Sequence, residues 1–292
     1  MKQEFNKGLL LTSLGSFWWG FIGVIYFQYV SFIGHIELVV HRCLWTTVML
    51  IFTSTIFSKW KIFLATVKRI KNLVALFVSG FLIFINWAIW IYAVATERII
   101  DASFGYFIMP IISVLLGYIF FKEKLNKKRV FSILLVITSI LFLIIFSLKS
   151  LPWVGLIVAI SWAFYNLVRK KINVDTDIGL LIESLYIFPF ALVAFYLITI
   201  NGMNDFSLSN PGLSLFLILA GPMTVIPLFL YVRGVELIGL GPTGMIFYIT
   251  PTLQFILGYF YYNEDFSFTK FLSFILIWIA VIIYLKDLYE TN

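Results

Sequence analysis

The run His35-Ile-Glu37-Leu-Val-Val-His41-Arg42-Cys43-Leu-Trp45 sets a carboxylate, an imidazole and a guanidinium into an apolar stretch. At helical spacing Glu37 and His41 are one turn apart and can touch, while Arg42 lies on a neighbouring face. A carboxylate next to an imidazole can pass a proton, and a guanidinium can hold an anion. Counted at about 1.5 Å per residue from residue 35, Glu37 stays near a surface and Arg42 reaches roughly 10 Å inward. Glu183 is a similar isolated charge in the second half of the chain, and it is expected at a depth related to that of Glu37. Glu37, His41 and Glu183 are therefore the candidates for proton coupling. For Arg42 two readings stand: an ion pair that pins helices, or a binding site for an anionic or zwitterionic substrate.

A second group of residues surrounds two prolines. Asp101-Ala-Ser103-Phe-Gly-Tyr106-Phe-Ile-Met109-Pro110 and Phe247-Tyr248-Ile-Thr250-Pro251-Thr-Leu-Gln254 each place a Tyr about one turn before a Pro. A Pro inside a helix removes a backbone hydrogen bond and frees a carbonyl one turn back, and in lipid that carbonyl needs a cavity or a neighbour. Ser103, Tyr106, Tyr248, Thr250 and Gln254 are thus expected to line a cavity, with Pro110, Pro227 and Pro251 as break or gating points. Close packing through small residues is the competing account. Asn86, Trp90 and Tyr165 add a polar and aromatic wall to the expected substrate site.

Other chemistries lack residues. Cys43 is the single cysteine and His35 and His41 are the only histidines, so no disulfide, Cys cluster or common zinc spacing can form within the chain. Neither a phosphate-binding Gly loop nor a nucleophile with base and orienting group stands out. No catalytic residues, cofactor or metal are assigned.

The elements that must hold these groups follow from the composition. Of 292 residues 62% are hydrophobic and 12% charged, with mean hydropathy +1.02, against about 45 to 50% and about 25% in soluble domains. The solvent is lipid. Continuous apolar runs such as residues 131–148 lack the alternation of a membrane barrel, which leaves helices. At about 20 residues per crossing, ten spans are expected, near 8–29, 35–57, 73–95, 102–121, 130–148, 152–169, 178–199, 212–234, 241–262 and 270–287.

The net charge of +7 acts as an orientation signal rather than a nucleic-acid surface, because the basic residues lie between spans. With the N-terminus inside, residues 2–7, 59–71, 122–129 and 169–171 together with Arg233 and Lys286 hold 17 of the 21 Lys and Arg, while Arg98, Lys149 and Lys270 fall outside. The positive-inside rule then puts both termini in the cytoplasm. Residues 60–70 read as a short amphipathic helix on the inner leaflet. Asn201 to Gly212, rich in turn residues, is expected to act as a hinge.

A shift of 141 residues aligns Pro110 with Pro251, Leu116-Gly-Tyr118 with Leu257-Gly-Tyr259, Glu123 with Glu264, Ser132 with Ser273 and Leu135 with Leu276. It carries the fourth and fifth spans onto the ninth and tenth. The unit is five helices, residues 1–149 and 150–292, and an odd number makes the copies insert in opposite orientation. Inverted repeats of this kind characterise secondary transporters, whose sites lie where the repeats meet.

Glu37-x-x-x-His41-Arg42-x-x-Trp45, Asn86-Trp87, Ala102-Ser-Phe-Gly-Tyr-Phe-Ile-x-Pro110, Glu123, Pro152-Trp153, Arg169-Lys-Lys171, Ala220-Gly-Pro-x-Thr224-x-Ile-Pro227, Pro251-Thr-Leu-Gln-Phe255 and Ile277-Trp278 together resemble the RarD branch of the drug/metabolite transporter superfamily, whose repeats are EamA domains. The likeness extends over almost the whole chain. It implies ten helices as two inverted five-helix EamA repeats around a central cavity, with export or exchange of small organic metabolites or drugs. Two positions depart from that pattern. Met109 stands where the branch usually has Asn, and Phe247 where it usually has Gln, so each half has lost a polar cavity group and a less polar cavity is expected.

The expectation is an all-α integral membrane protein of the plasma membrane: a secondary-active transporter, powered by a proton or an exchanged solute, as a monomer or weak homodimer. An intramembrane enzyme or a non-transporting membrane receptor is the alternative.

Overall fold

The computed structural model describes residues 2–30, 32–95, 99–147, 153–261 and 268–291. Among these residues the regular elements are all helices. In chain order they are α1 (Lys2–Phe17), a π-helical turn (Trp18–Ile22), α2 (Gly23–Tyr29), α3 (His35–Ile56), α4 (Trp60–Val67), α5 (Ile70–Ala95), α6 (Ile99–Phe121), α7 (Lys127–Ser147), α8 (Trp153–Lys171), α9 (Thr176–Ile200), α10 (Pro211–Ile238), α11 (Leu240–Ile246), α12 (Ile249–Phe260) and α13 (Phe268–Thr291).

Seven helical stretches are long and apolar enough to cross a bilayer, among the described residues: 3–29, 35–56, 70–90, 127–146, 176–200, 211–238 and 271–291. The other three expected spans coincide with α6, with α8, which ends in Arg169-Lys-Lys171, and with the broken pair α11 and α12. Large apolar side chains such as Ile145, Phe190, Val193 and Ile282 remain exposed on the outside of the bundle. A water-soluble fold would bury them; in a bilayer they face lipid. This is an all-α, multi-pass membrane protein.

Two spans are irregular. The first passes through the π turn, which brings Gly20 against the backbone of Thr250; a Cβ there would lie 2.8 Å from the Thr250 carbonyl oxygen. The ninth breaks at Phe247 and Tyr248. Pro251, expected as a break point, sits in the first turn of α12 immediately after this break; it has no N–H to return to the Phe247 carbonyl one turn back, which accepts instead from the Thr250 N–H at 2.9 Å. Pro110 and Pro227 do lie inside helices, as do Pro189 and Pro222.

The short helix expected at the membrane surface is α4, entered through Ser58 at φ 52°. Phe63 packs inward while Ile62 and Leu64 stay exposed.

Helix pairing follows small residues. α1 lies along α10, α8 along both α5 and α6, and α3 along both α9 and α10, while α7 pairs with α13 and α6 with α11. Close backbone approach makes several of these possible. At Gly221 of α10, a Cβ would stand 2.5 Å from the Trp45 carbonyl oxygen of α3.

The two ends of the bundle are fastened differently. At one end ion pairs join elements distant in sequence: Lys59 to Asp177 at 2.6 Å, and Arg129 to Asp287 at 2.8 Å. At the other, the 201–210 segment folds over α3. Glu37 accepts the Asp205 backbone N–H at 2.7 Å, and His41 Nε2 faces Asn204 Oδ1 at 3.4 Å. The segment expected to be a hinge is thus clasped to α3.

Candidate functional site

Arg42 is the eighth residue of α3 and 7% exposed. Its Nε donates to Thr224 Oγ1 of α10 at 2.9 Å, and Gly221, one turn earlier on α10, permits that approach. The guanidinium lies over the Trp87 ring at 4.6 Å and the Phe27 ring at 5.4 Å, both favourable for a cation on an aromatic face. Among the described residues no carboxylate pairs with it, so the ion-pair reading of Arg42 finds no partner there.

Trp90 and Tyr106 join this region. Trp90 packs at a tilt against Phe27, with ring centroids 5.8 Å apart. Tyr106 packs near Phe247 at 5.7 Å, next to a cluster in which Trp19 meets Trp162 at 5.2 Å and Tyr231 meets Phe247 at 5.4 Å. The two positions that departed from the family pattern are buried: Met109 is 0% exposed and Phe247 2%. Both sit in the main apolar core.

The other expected substrate residues are engaged elsewhere. Asn86 donates to the Val158 carbonyl oxygen at 2.9 Å and to Ser161 Oγ at 3.1 Å, tying α5 to α8. Tyr248 donates to the Phe107 carbonyl at 2.8 Å, and Thr250 to the Ser16 carbonyl at 2.9 Å. Tyr165 donates to Glu183 Oε2 at 3.1 Å. Gln254 is half-buried on α12. Ser103 falls where side chains lie outside the described residues.

The proton-coupling candidates form two separate groups. Trp45 Nε1 donates to His41 Nδ1 at 3.2 Å, which leaves the imidazole proton on Nε2, facing Glu37 Oε1 at 3.5 Å. That pattern is a neutral His41 inside a clasp.

Glu183 is the eighth residue of α9, so at the 141-residue shift it is the counterpart of Arg42 and not of Glu37, correcting the expected depth relation. It accepts from Ser79 Oγ at 2.5 Å and lies 3.5 Å from Arg169 Nη1. Arg169, 0% exposed, also reaches Glu236 at 3.6 Å and donates to the Thr176 carbonyl at 3.0 Å. Its signal in the sequence was masked by Lys170 and Lys171, which made the trio look like an orientation signal.

Glu123 is a further residue whose role spacing could not reveal. Lys122, at φ 54°, turns the chain out of α6 so that the Glu123 carboxylate accepts the backbone N–H groups of Leu240 at 2.8 Å and Gly241 at 2.9 Å. It satisfies donors that the start of α11 would otherwise leave unpaired. Burial holds its carboxyl above the usual carboxylate range, against the pull of those N–H groups, Lys170 and Arg129.

A bundle of apolar helices with a buried cation held between them suits a membrane transporter. The EamA-like transporter family model matches residues 6–145 and again 150–286. The chain is 32% identical over 284 residues to an uncharacterized transporter, YojE, of Bacillus subtilis, covering 96% of this chain and 94% of that one. It is 32% identical over 290 residues to the protein RarD of Escherichia coli, covering 99% and 97%. A solved crystal structure of 11% sequence identity shares the fold with a TM-score of 0.71, over 95% of this chain and 96% of that one. The chain belongs to the EamA-like transporter family, as a RarD-type drug/metabolite transporter.

Proposed function

We propose that this transporter moves small organic metabolites or drugs by alternating access between two inverted five-helix halves, residues 1–149 and 150–292. The helix pairing supports this reading. Numbering the ten expected spans in order, the first packs on the eighth as the sixth packs on the third, and the fourth meets the sixth as the ninth meets the first. The second and seventh, fourth and ninth, and fifth and tenth pair with their own counterparts. Two halves built alike can exchange conformations and open to the opposite side.

The observation that carries the reading is Arg42, a buried cation of the first half whose hydrogen bond crosses to Thr224 of the second. A charge placed there costs free energy unless something passing between the halves uses it. Energy comes from a solute or proton gradient or from exchange, with Glu37, His41 and Glu183 as the groups whose bonds must change if protons are coupled. We place the protein in the cytoplasmic membrane with both termini inside, as a monomer or weak homodimer.

Flux of a metabolite panel in proteoliposomes, with and without a pH gradient, tests this. Flux abolished in Arg42→Gln is the expected result. No flux of any solute, alongside chemical turnover of one, rejects it.

A further inference from the structure

We infer that Arg42 anchors the carboxylate of a monoanionic solute with a flat apolar body; the inference rests on the transport reading and names its substrate class. A guanidinium has five N–H donors, and Arg42 uses one, Nε, on Thr224. The rest find no acceptor among the described residues. A buried charge left unpaired costs several kcal/mol, so the site is complete only when an anion or water enters it.

The equivalent position of the other half makes the vacancy specific to this one. Glu183, at the same register, is satisfied by Ser79, Tyr165 and Arg169. The duplicated framework can therefore supply internal partners for a charge at this position, and for Arg42 it supplies only Thr224. Glu37 and His41, neighbours of Arg42 in sequence, are taken up by Asp205, Asn204 and Trp45.

The charge of the solute follows from the same inventory. His41 is held neutral by its Trp45 bond, and no second cation accompanies Arg42 among the described residues. One negative charge is compensated there, whereas a dianion would bring a second into a low-dielectric site. The free Nη edge suits a carboxylate, which guanidinium grips through two parallel hydrogen bonds. The body follows from the walls. Trp87 and Phe27 carry the guanidinium on their faces, and Trp90 and Tyr106, partly exposed beside it, offer the aromatic surface against which a flat ring packs.

The test uses the purified full chain in nanodiscs and a shape-matched series: phenylacetate, phenylacetamide and phenethylamine, with acetate for the carboxylate alone and inorganic phosphate as the dianion control. Binding is read by thermal shift and tryptophan fluorescence. Phenylacetate is expected to bind about tenfold or more tighter than the amide and the amine, as a charge-assisted hydrogen-bond pair supplies, and tighter than acetate or phosphate. Arg42→Gln removes the preference for the carboxylate and Arg42→Lys weakens it. Thr224→Val, which keeps the charge, retains it and serves where Arg42→Gln does not fold. Equal binding of acid and amide, a preference that survives Arg42→Gln, or no binding of phenylacetate at millimolar concentration overturns the inference. Carboxylate-selective binding without flux of any solute in proteoliposomes would reject transport and leave the inference standing; flux indifferent to charge would do the reverse.

Discussion

Replacing Glu123 with Ala removes the acceptor for two backbone N–H groups at once. The bonds to Leu240 and Gly241, at 2.8 and 2.9 Å, satisfy two backbone N–H groups, and leaving such a donor unsatisfied costs about 1–3 kcal/mol each. Glu123 is partly buried, and the lower half of that range gives about 3 kcal/mol for Glu123→Ala and about half of that for Glu123→Gln, whose amide keeps one acceptor. SDS-titrated unfolding of the purified protein in mixed micelles, followed by tryptophan fluorescence, measures both. The pH dependence carries its own sign. Burial raises the folded-state pKa of Glu123 above its ordinary 4.5, so the folded form holds its proton more tightly than the unfolded. The Glu123 contribution is then fully present below about pH 4.5 and declines as pH rises through the folded value. The difference in stability between wild type and Glu123→Gln should shrink with rising pH across that window. An Ala variant within about 0.5 kcal/mol of wild type, well short of two lost bonds, refutes the assignment of Glu123 as the cap of α11.

Gly221→Ala pushes a methyl group into the Trp45 carbonyl and should destabilise by about 1–3 kcal/mol, while weakening solute binding more than Gly212→Ala, where the nearest neighbour is 4.0 Å away; parallel melts and flux assays check both. Arg169→Gln strands Glu183 without its cation and is expected to cost about 3–5 kcal/mol, part of which Arg169→Gln with Glu183→Gln restores in a double-mutant cycle. Lys122→Gly relieves a left-handed backbone conformation and should stabilise by roughly 0.5–1 kcal/mol in the same unfolding assay.

Hydropathy and turn residues made the all-α membrane fold legible, with seven helices long and apolar enough to cross among the described residues, because burial in lipid is a property of composition summed over about twenty residues. The irregularities were not legible in that way. The π turn at 18–22 packs Gly20 against Thr250, 230 positions away in the chain, whereas the break at 247–248 lies one turn before Pro251, which the sequence did mark. Arg42, Trp90 and Tyr106 were picked out as unusual residues for their surroundings, and they do gather. Asn86, Tyr165, Tyr248 and Thr250 were picked on the same grounds, but each spends its polar group on a neighbouring helix. Polarity inside a span signals that a partner exists, and only the packing says whether that partner belongs to the chain.

The unequal fastening of the two ends has a consequence for how the protein meets the solutions on either side of the membrane. Lys59 with Asp177 and Lys128 with Glu290 are partly exposed pairs, within reach of mobile ions whose screening length is about 8 Å at physiological strength. The opposite end relies on hydrogen bonds that are not ion pairs, Tyr26 to the Phe216 carbonyl and Ser214 to Ser207, which an ion atmosphere hardly touches. Raising potassium chloride in one compartment alone would weaken the fastening at one end of the bundle and spare the other, so the two faces of the protein should differ in how far electrolyte loosens them.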